Sequence, residues 1–364
     1  MQRYYIPTEI FFATGCISAR GHRLSAYGTK ALIVTGARSA RLSGALDAVI
    51  STLSAQNIDY DIFDKVQENP LLSTITAGAA KFEESGCNFF IGIGGGSPID
   101  AAKAMSAMTA NHLVDNQIYD AFRIKKAFPI IAVPTTSGTG TEATPYSVVT
   151  DDARGVKAGL GATVLFPTIS FLDPAFTCSL PLRQTRDTAI DALSHLLEGI
   201  YSCKRSSLLY PLIFDGIKRI IASLAATLLH PDDVALRTDL MQASLYGGIV
   251  IAQTSTTLQH SIGYPLTSEL GVSHGLANGA VMRQIMELYQ PAVSSELNAL
   301  FAYIHMDMEE FFAWLAQFDL TINAEITDEF IARRTPEVLA SRNMANNPFP
   351  IDASTIEKIY KSLR

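Results

Sequence analysis

Short apolar runs alternate with amphipathic stretches through the first half of the chain, and the second half is helical in pattern almost throughout. Tyr4–Ala13 alternates well enough for a strand or hairpin at a sheet edge. Lys30–Thr35 is a short apolar run closed by Gly36, the form of a strand buried on both faces. Leu42–Leu53 predicts a helix, Asp59–Phe63 a strand, Leu71–Ser85 a helix and Asn88–Ile93 another strand. Phe128–Val133, Thr163–Phe166 and Ile169–Leu172 add further strands. Strands alternating with helices imply right-handed βαβ units in a doubly wound α/β sheet. From Leu182 onward, Arg186–Tyr201, Leu208–Leu229, Asp233–Ile251, Gly275–Tyr289, Met308–Gln317 and Asp328–Ser341 carry apolar residues at helical spacing. Asn343–Asp352, rich in Asn and Pro, predicts a loop ahead of a last short helix. The composition changes near Cys178–Leu182. That predicts an α/β nucleotide-binding domain over 1–180 and an all-α domain over 181–364, with a substrate cleft between them.

Composition narrows the function classes. At 364 residues, 48% of them hydrophobic, the chain supports more than one core. No run approaches the ~20 apolar residues of a membrane span. Met-Gln-Arg-Tyr-Tyr-Ile-Pro at the start has no basic-then-apolar secretory pattern. Cys16, Cys87, Cys178 and Cys203 are scattered without metal-type spacing, which fits reduced thiols in a cytoplasmic protein. A net charge of −7 without a strong basic block argues against a nucleic-acid partner.

Candidate chemistry begins after Asn88–Ile93, with Gly94-Gly95-Gly96-Ser97-Pro98-Ile99-Asp100 and then a helix through Ala110. Glycines let a phosphate approach the backbone closely. Ser97 is placed to cap the helix, Pro98 suits its first turn, and Asp100 falls where a capping-box acid would sit. The free N–H groups and positive dipole end of such a helix suit a pyrophosphate, although a plain strand-to-helix turn is the alternative. A second cluster, Pro134–Tyr146, holds seven hydroxyl-bearing side chains in thirteen residues. It reads either as a solvated connection or as a set of partners for ribose, phosphate and carboxamide groups.

The second half carries Asp191-Ala-Leu-Ser-His195, whose carboxylate and imidazole stack one turn apart on a helix face. His260 follows within a helical run and His274 opens the next one. Three of the seven histidines thus join one aspartate, a donor set suited to a divalent first-row ion with a position left open. An isolated Asp-x-x-x-His pair is more often an ordinary salt bridge. Burial shifts the balance: Leu193, Leu196 and Leu197 mark the helix as largely buried, where an unpaired carboxylate is costly.

Taken together, Gly94–Lys103, Pro134–Asp151, Phe171–Pro174, Asp191–Glu198 and His260–Asn278 resemble the iron-containing (group III) alcohol dehydrogenases along essentially the whole chain. The resemblance implies that Asp191, His195, His260 and His274 hold a metal, Fe²⁺ or alternatively Zn²⁺. It implies that Gly94, Gly95, Gly96, Ser97 and Asp100 meet the pyrophosphate. Asn69, Thr135, Thr136, Thr139, Thr144, Tyr146 and Lys157 are implied further along the dinucleotide, the threonines and Lys157 at its nicotinamide end. A homodimer acting on a small alcohol or aldehyde is also implied.

Two positions depart from the family pattern. Tyr264 stands where many members carry a further histidine, so its hydroxyl or a water replaces any proton relay there. Gly36 stands where many NAD-using relatives have an aspartate that accepts from the ribose hydroxyls. With Arg38 and Ser39 following, the expected cofactor is NADP(H), with NAD(H) the alternative. The expected activity is metal-assisted hydride transfer between a primary alcohol and its aldehyde. Rival readings are a non-redox dehydroquinate synthase-like lyase or cyclase, a glycerol dehydrogenase-type polyol oxidoreductase, and a catalytically silent scaffold.

Overall fold

The apolar runs of the first half assemble into a parallel six-stranded sheet in a computed structural model that describes residues 3–364. Its strands are β1 (Glu9–Phe12), β2 (Lys30–Thr35), β3 (Asp59–Phe63), β4 (Phe89–Gly94), β5 (Ile130–Pro134) and β8 (Ile169–Leu172), in the spatial order β1-β8-β5-β4-β2-β3. A separate antiparallel pair is formed by β6 (Tyr146–Asp151) and β7 (Val156–Gly161). Helices α1 (Cys16–Arg20), α2 (Ser39–Leu42), α3 (Ala45–Ala55), α4 (Leu72–Ser85) and α5 (Gly96–Ala110) complete the connections. This unit comprises Ile6–Leu180 with His230–Met241.

Both faces of the sheet are buried, which is why its strands read as near-continuous apolar runs. Ala31, Ile33, Phe89, Ile91, Ile131 and Phe171 enter one core with α3. Leu32, Val34, Phe90 and Ile130 enter the other with α4 and α5. The chain leaves β2 for β3 on one side, then returns to β4 on the other. The carboxyl ends of β2 and β4 therefore flank a topological switch point, where ligands of open α/β sheets bind.

Of the two forms expected for Tyr4–Ala13, the structure has the strand: β1 is a short parallel strand at the sheet edge, paired with β8. Other sequence expectations need correction. Thr163–Phe166 is a 3₁₀ turn, Thr163–Leu165, and the strand lies upstream as β7. Pro167 cuts that run short and has no N–H to give to a ladder. Ser97 does not cap α5: the N-cap is Gly95, so Ser97 lies inside the first turn, and Asp100 is too far along to complete a capping box.

The other unit comprises Pro181–Leu229 and Gln242–Arg364 together with residues 3–5. Its helices are α6 (Leu182–Tyr201), α7 (Tyr210–Leu229), α8 (Val234–Thr254, whose first turns belong to the sheet unit), α9 (Leu258–Leu270), α10 (His274–Ala280) and α11 (Met282–Tyr289). They continue with α12 (Ser294–Ile304), α13 (Met308–Leu315), α14 (Asp328–Ala340) and α15 (Ala353–Lys361). Gly275–Tyr289 is thus two helices, because the chain breaks at Val281 between α10 and α11. Among the described residues no helix is long and apolar enough to cross a membrane.

The placement of α5 depends on Gly92 in β4, where an added Cβ would lie 2.8 Å from the Ile99 Cα. Backbone cannot yield as a side chain can. Gly92→Ala is therefore expected to cost about 1–3 kcal/mol through overpacking. Thermal denaturation checks this, and an unchanged midpoint would contradict the close helix–strand approach.

Candidate metal centre and phosphate loop

Three helices of the second unit each present an i,i+4 pair to one point: Asp191 and His195 from α6, His260 and Tyr264 from α9, His274 and Asn278 from α10. Asp191 Oδ1 lies 4.0 Å from His195 Nε2, 3.8 Å from His260 Nε2 and 3.7 Å from His274 Nε2. The His195 and His260 rings stack at 4.8 Å between centroids, with their Nε2 atoms 3.0 Å apart. Asn278 Nδ2 donates to Asp191 Oδ1 at 2.9 Å. Tyr264 lies against His274, with ring centroids 5.6 Å apart and planes 7° from parallel.

A buried carboxylate behind the cluster sets the imidazole chemistry. Glu198 is fully buried and contacts His260 Nδ1, while its other oxygen accepts from the Thr257 N–H and Oγ1 at 2.6 and 2.7 Å. The proton of His260 belongs on Nδ1, facing that carboxylate, which leaves the Nε2 lone pair aimed at Asp191 and its companions. Burial alone would raise the Asp191 carboxyl. His195, His274, His260 and the Asn278 amide outweigh it and hold the group below its ordinary value. Glu198 behaves alike, with burial opposed by His260 and Thr257. Lone pairs converging beside an ionised, buried carboxylate fit a cation. Nitrogen and oxygen donors of this kind suit Fe²⁺ or Zn²⁺.

In the sheet unit, Gly94 ends β4 with φ +147° and Thr135 N–H donates to its carbonyl at 2.8 Å. Added Cβ atoms at Gly95 and Gly96 would come within 3.1 Å of Thr136 and 2.9 Å of Thr139. The glycine turn and the threonine-rich loop are therefore one surface, with Gly95, Gly96, Ser97, Thr136 and Thr139 partly open and Thr135 and Thr144 buried. Lys157 Nζ donates to Asn69 Oδ1 at 2.7 Å, joining two residues far apart in sequence. Past β2, Gly36 lies 3.1 Å (as an added Cβ) from the Val66 carbonyl, and Arg38 and Ser39 are exposed.

Two family descriptions match the chain: iron-containing alcohol dehydrogenase over residues 7–174, and the C-terminal part of the Fe-containing alcohol dehydrogenase family over residues 185–364. The chain belongs to the iron-containing alcohol dehydrogenase family. A long-chain primary alcohol dehydrogenase of Thermoanaerobacter ethanolicus is 29% identical over 357 residues, covering 91% of this chain and 88% of the relative. An NADH-dependent butanol dehydrogenase B of Clostridium acetobutylicum is 29% identical, covering 78% of this chain and 74% of the relative. An iron-containing alcohol dehydrogenase from Thermotoga maritima superposes with a TM-score of 0.94 at 32% identity, covering 100% of this chain and 99% of that one. An alcohol dehydrogenase-type oxidoreductase acting on small molecules follows, and the family implies a metal and a nicotinamide cofactor.

In this iron-type dehydrogenase, several of the residues expected at the dinucleotide also bond within the protein. Asp100 is committed inside the protein: its carboxylate accepts from Thr141 Oγ1 at 2.6 Å and from the Val148 N–H at 2.9 Å. Thr144 and the Tyr146 carbonyl turn toward Lys103, which the sequence argument did not single out. Lys103 is fully buried, and its ammonium donates to the carbonyls of Thr141, Thr144 and Tyr146 at 2.7, 2.9 and 2.8 Å. Burial pushes it down to about 8, against the opposing pull of Asp100 and Glu142. Glu198 and Asn278 also went unassigned. Asp191, His195 and Glu198 follow an i, i+4, i+7 stripe, and Asn278 is i+4 from His274, so helical spacing contained both.

Glu198 should matter to any ion in the cluster. Glu198→Gln is expected to weaken metal retention by roughly 10–100-fold, the usual effect of removing such a partner. Elemental analysis after graded chelator dialysis reads this, and wild-type retention would remove Glu198 from the role.

Proposed function

We propose that this enzyme interconverts a primary alcohol and its aldehyde with NADP(H), NAD(H) being the second reading, around a divalent ion held by Asp191, His195, His260 and His274. The observation that carries the proposal is the gathering of three imidazole Nε2 atoms within 4.0 Å of one buried carboxylate oxygen. A divalent ion in that position supplies Lewis acidity toward the substrate oxygen. The protein's own part is to fix the donors. Glu198 keeps the His260 proton on Nδ1, and Asn278 holds one oxygen of Asp191. Tyr264 brings a phenol ring alongside His274, and we assign proton exchange with the substrate to its hydroxyl or to a water beside it.

The dinucleotide is assigned to the open surface of Gly95, Gly96, Ser97, Thr136 and Thr139 at the start of α5, where backbone N–H groups and the helix dipole favour phosphate. Lys157 with Asn69, and the turn at Gly36, Arg38 and Ser39, are assigned to its other parts. Preference for NADP(H) rests on Gly36, which offers no carboxylate to repel a 2′-phosphate, and on exposed Arg38 and Ser39 beyond it. The NADH-dependent butanol dehydrogenase relative supports the second reading. Family resemblance also underlies a cytoplasmic homodimer as part of this proposal.

Two measurements test these assignments separately. With a panel of primary alcohols and aldehydes, kcat/KM is expected to be at least about tenfold higher with NADP(H) than with NAD(H), a difference of ~1.4 kcal/mol. The reverse preference would reject the cofactor assignment alone. His260→Ala should lose bound metal and activity together, and full activity in a metal-free variant would defeat the metal assignment.

A further inference from the structure

His274 differs from the other three clustered donors in being open to solvent. Its side chain is 28% exposed, against 2–5% for Asp191, His195 and His260. It is also the first residue of α10, a helix of seven residues, where the Asn278 amide one turn on approaches its Nε2 at 3.4 Å. Besides that amide and the Tyr264 ring against its face, two further contacts lie one residue before it and one after.

Ser273 is the N-cap of α10, and its carbonyl accepts from the Ala277 N–H at 2.9 Å, opening the helical ladder. A serine there ordinarily turns its hydroxyl onto its own helix. Here no such bond forms, and the hydroxyl donates instead to Asp187 Oδ2 at 2.5 Å. Asp187 sits one turn ahead of Asp191 on α6 and is 5% exposed. Its other oxygen is gripped by Arg186 through Nε at 2.8 Å and Nη2 at 2.7 Å. Arg186 in turn donates to the carbonyls of Phe318 and Asp319 at 3.0 and 3.1 Å. On the far side of His274, Gly275 is pressed so closely on α6 that an added Cβ would lie 1.7 Å from the Asp187 carbonyl oxygen. One residue of α6 thus holds both neighbours of His274, by its side chain and by its backbone.

We propose that Asp187 and Ser273 form a latch that holds His274 in position and so governs how fast the metal leaves. The inference rests on the four-donor reading above and assigns Asp187 and Ser273 as positioning residues. The most exposed donor is the one whose departure opens a route for an ion to leave or for a chelator to enter. A bond that ties its preceding residue to a rigid, arginine-braced carboxylate slows that departure without touching the ion.

The test uses full-length protein loaded with Zn²⁺ and follows transfer of the ion to a chromogenic chelator in excess. Ser273→Ala is expected to release Zn²⁺ about tenfold faster than wild type, at the lower end of the usual effect of support residues around a metal site. Ser273→Thr, which keeps the hydroxyl, should release it near the wild-type rate. Midpoints of thermal unfolding for the metal-free wild type and Ser273→Ala should differ by little. His274→Ala, run in parallel, separates the two layers of the argument. If His274→Ala releases Zn²⁺ no faster than wild type, the four-donor reading fails. If it releases faster while Ser273→Ala matches wild type, the latch alone is overturned. The latch is equally overturned if Ser273→Thr is as fast as Ser273→Ala, or if the metal-free midpoint falls sharply while release is unchanged.

Discussion

An ionised carboxylate in the middle of a buried helix has to be answered by something, and the helical unit is arranged around that demand at Asp191. Left alone it would take up a proton or destabilise the fold by several kcal/mol. Among the described residues no lysine or arginine is recorded as its partner. Its neighbours are the three imidazoles and one amide, groups that offer lone pairs or a single N–H. To converge on it, other helices must approach α6 more closely than ordinary side chains allow. Glycines provide the clearance. An added Cβ at Gly247 of α8 would lie 3.2 Å from His195 Cβ, and at Gly216 of α7 it would lie 2.8 Å from Leu196. At Gly279 of α10 it would lie 2.6 Å from Ile190. Packing and chemistry are therefore one constraint along α6: the same backbone contacts that build the core decide where the nitrogen atoms point.

The sheet unit solves a complementary problem. Lys103 carries a cation into the interior of α5 and finds carbonyl oxygens rather than a carboxylate, with the Asp100 carboxylate turned to Thr141 and Val148 instead. Glu142, buried in the same loop, is pushed up to about 7 by burial. The consequence is mechanical. Lys103 and Asp100 lie on the helix that begins with the glycine turn, and their partners lie in the threonine-rich loop and the start of β6. Helix and loop are fastened from beneath, while Thr136 and Thr139 stay open above. A surface that must receive a phosphate without rearranging needs that kind of support, because loop order lost in the free protein is subtracted from binding.

Sequence patterning reached the sheet with little error because its signal is local. Lys30–Thr35 and Asp59–Phe63 coincide with β2 and β3, since apolar runs closed by glycine or polar residues leave few alternatives. The β6–β7 hairpin was not legible in the same way. Its strands bury Ser147, Val149 and Asp151 on one side, so polar residues occupy inward positions and the alternation is masked. Helix α12 also escaped notice, lying between the more strongly patterned α11 and α13. For the site, the residues visible in sequence were those with distinctive chemistry, Asp191 and the histidines, and each histidine has its Nε2 within 4.0 Å of Asp191 Oδ1. Glu198, Asn278, Ser273 and Asp187 bond to partners 59 to 87 positions away, as Glu198 with Thr257 and Asn278 with Asp191 show. Helical spacing can point to Glu198 and Asn278 as members of a shared face, but not to the distant partners they reach.

His274, at the edge of the cluster, is held differently from its three neighbours. Three donors are set by the interior of the fold, and their geometry can change only if helices move. His274 is instead held by separable contacts: the Ser273–Asp187 bond on one side, the Gly275 approach on the other, and the Tyr264 ring across its face. A tyrosine there matters physically. Its ring stacks as an imidazole would, restricting rotation of His274, but its neutral phenol offers no second imidazole lone pair to compete for an ion. Substituting tyrosine at this position therefore preserves support of the exposed donor while changing the proton chemistry beside it. On the proposed reading, retention of the ion and exchange of the proton fall to different residues, which can vary independently.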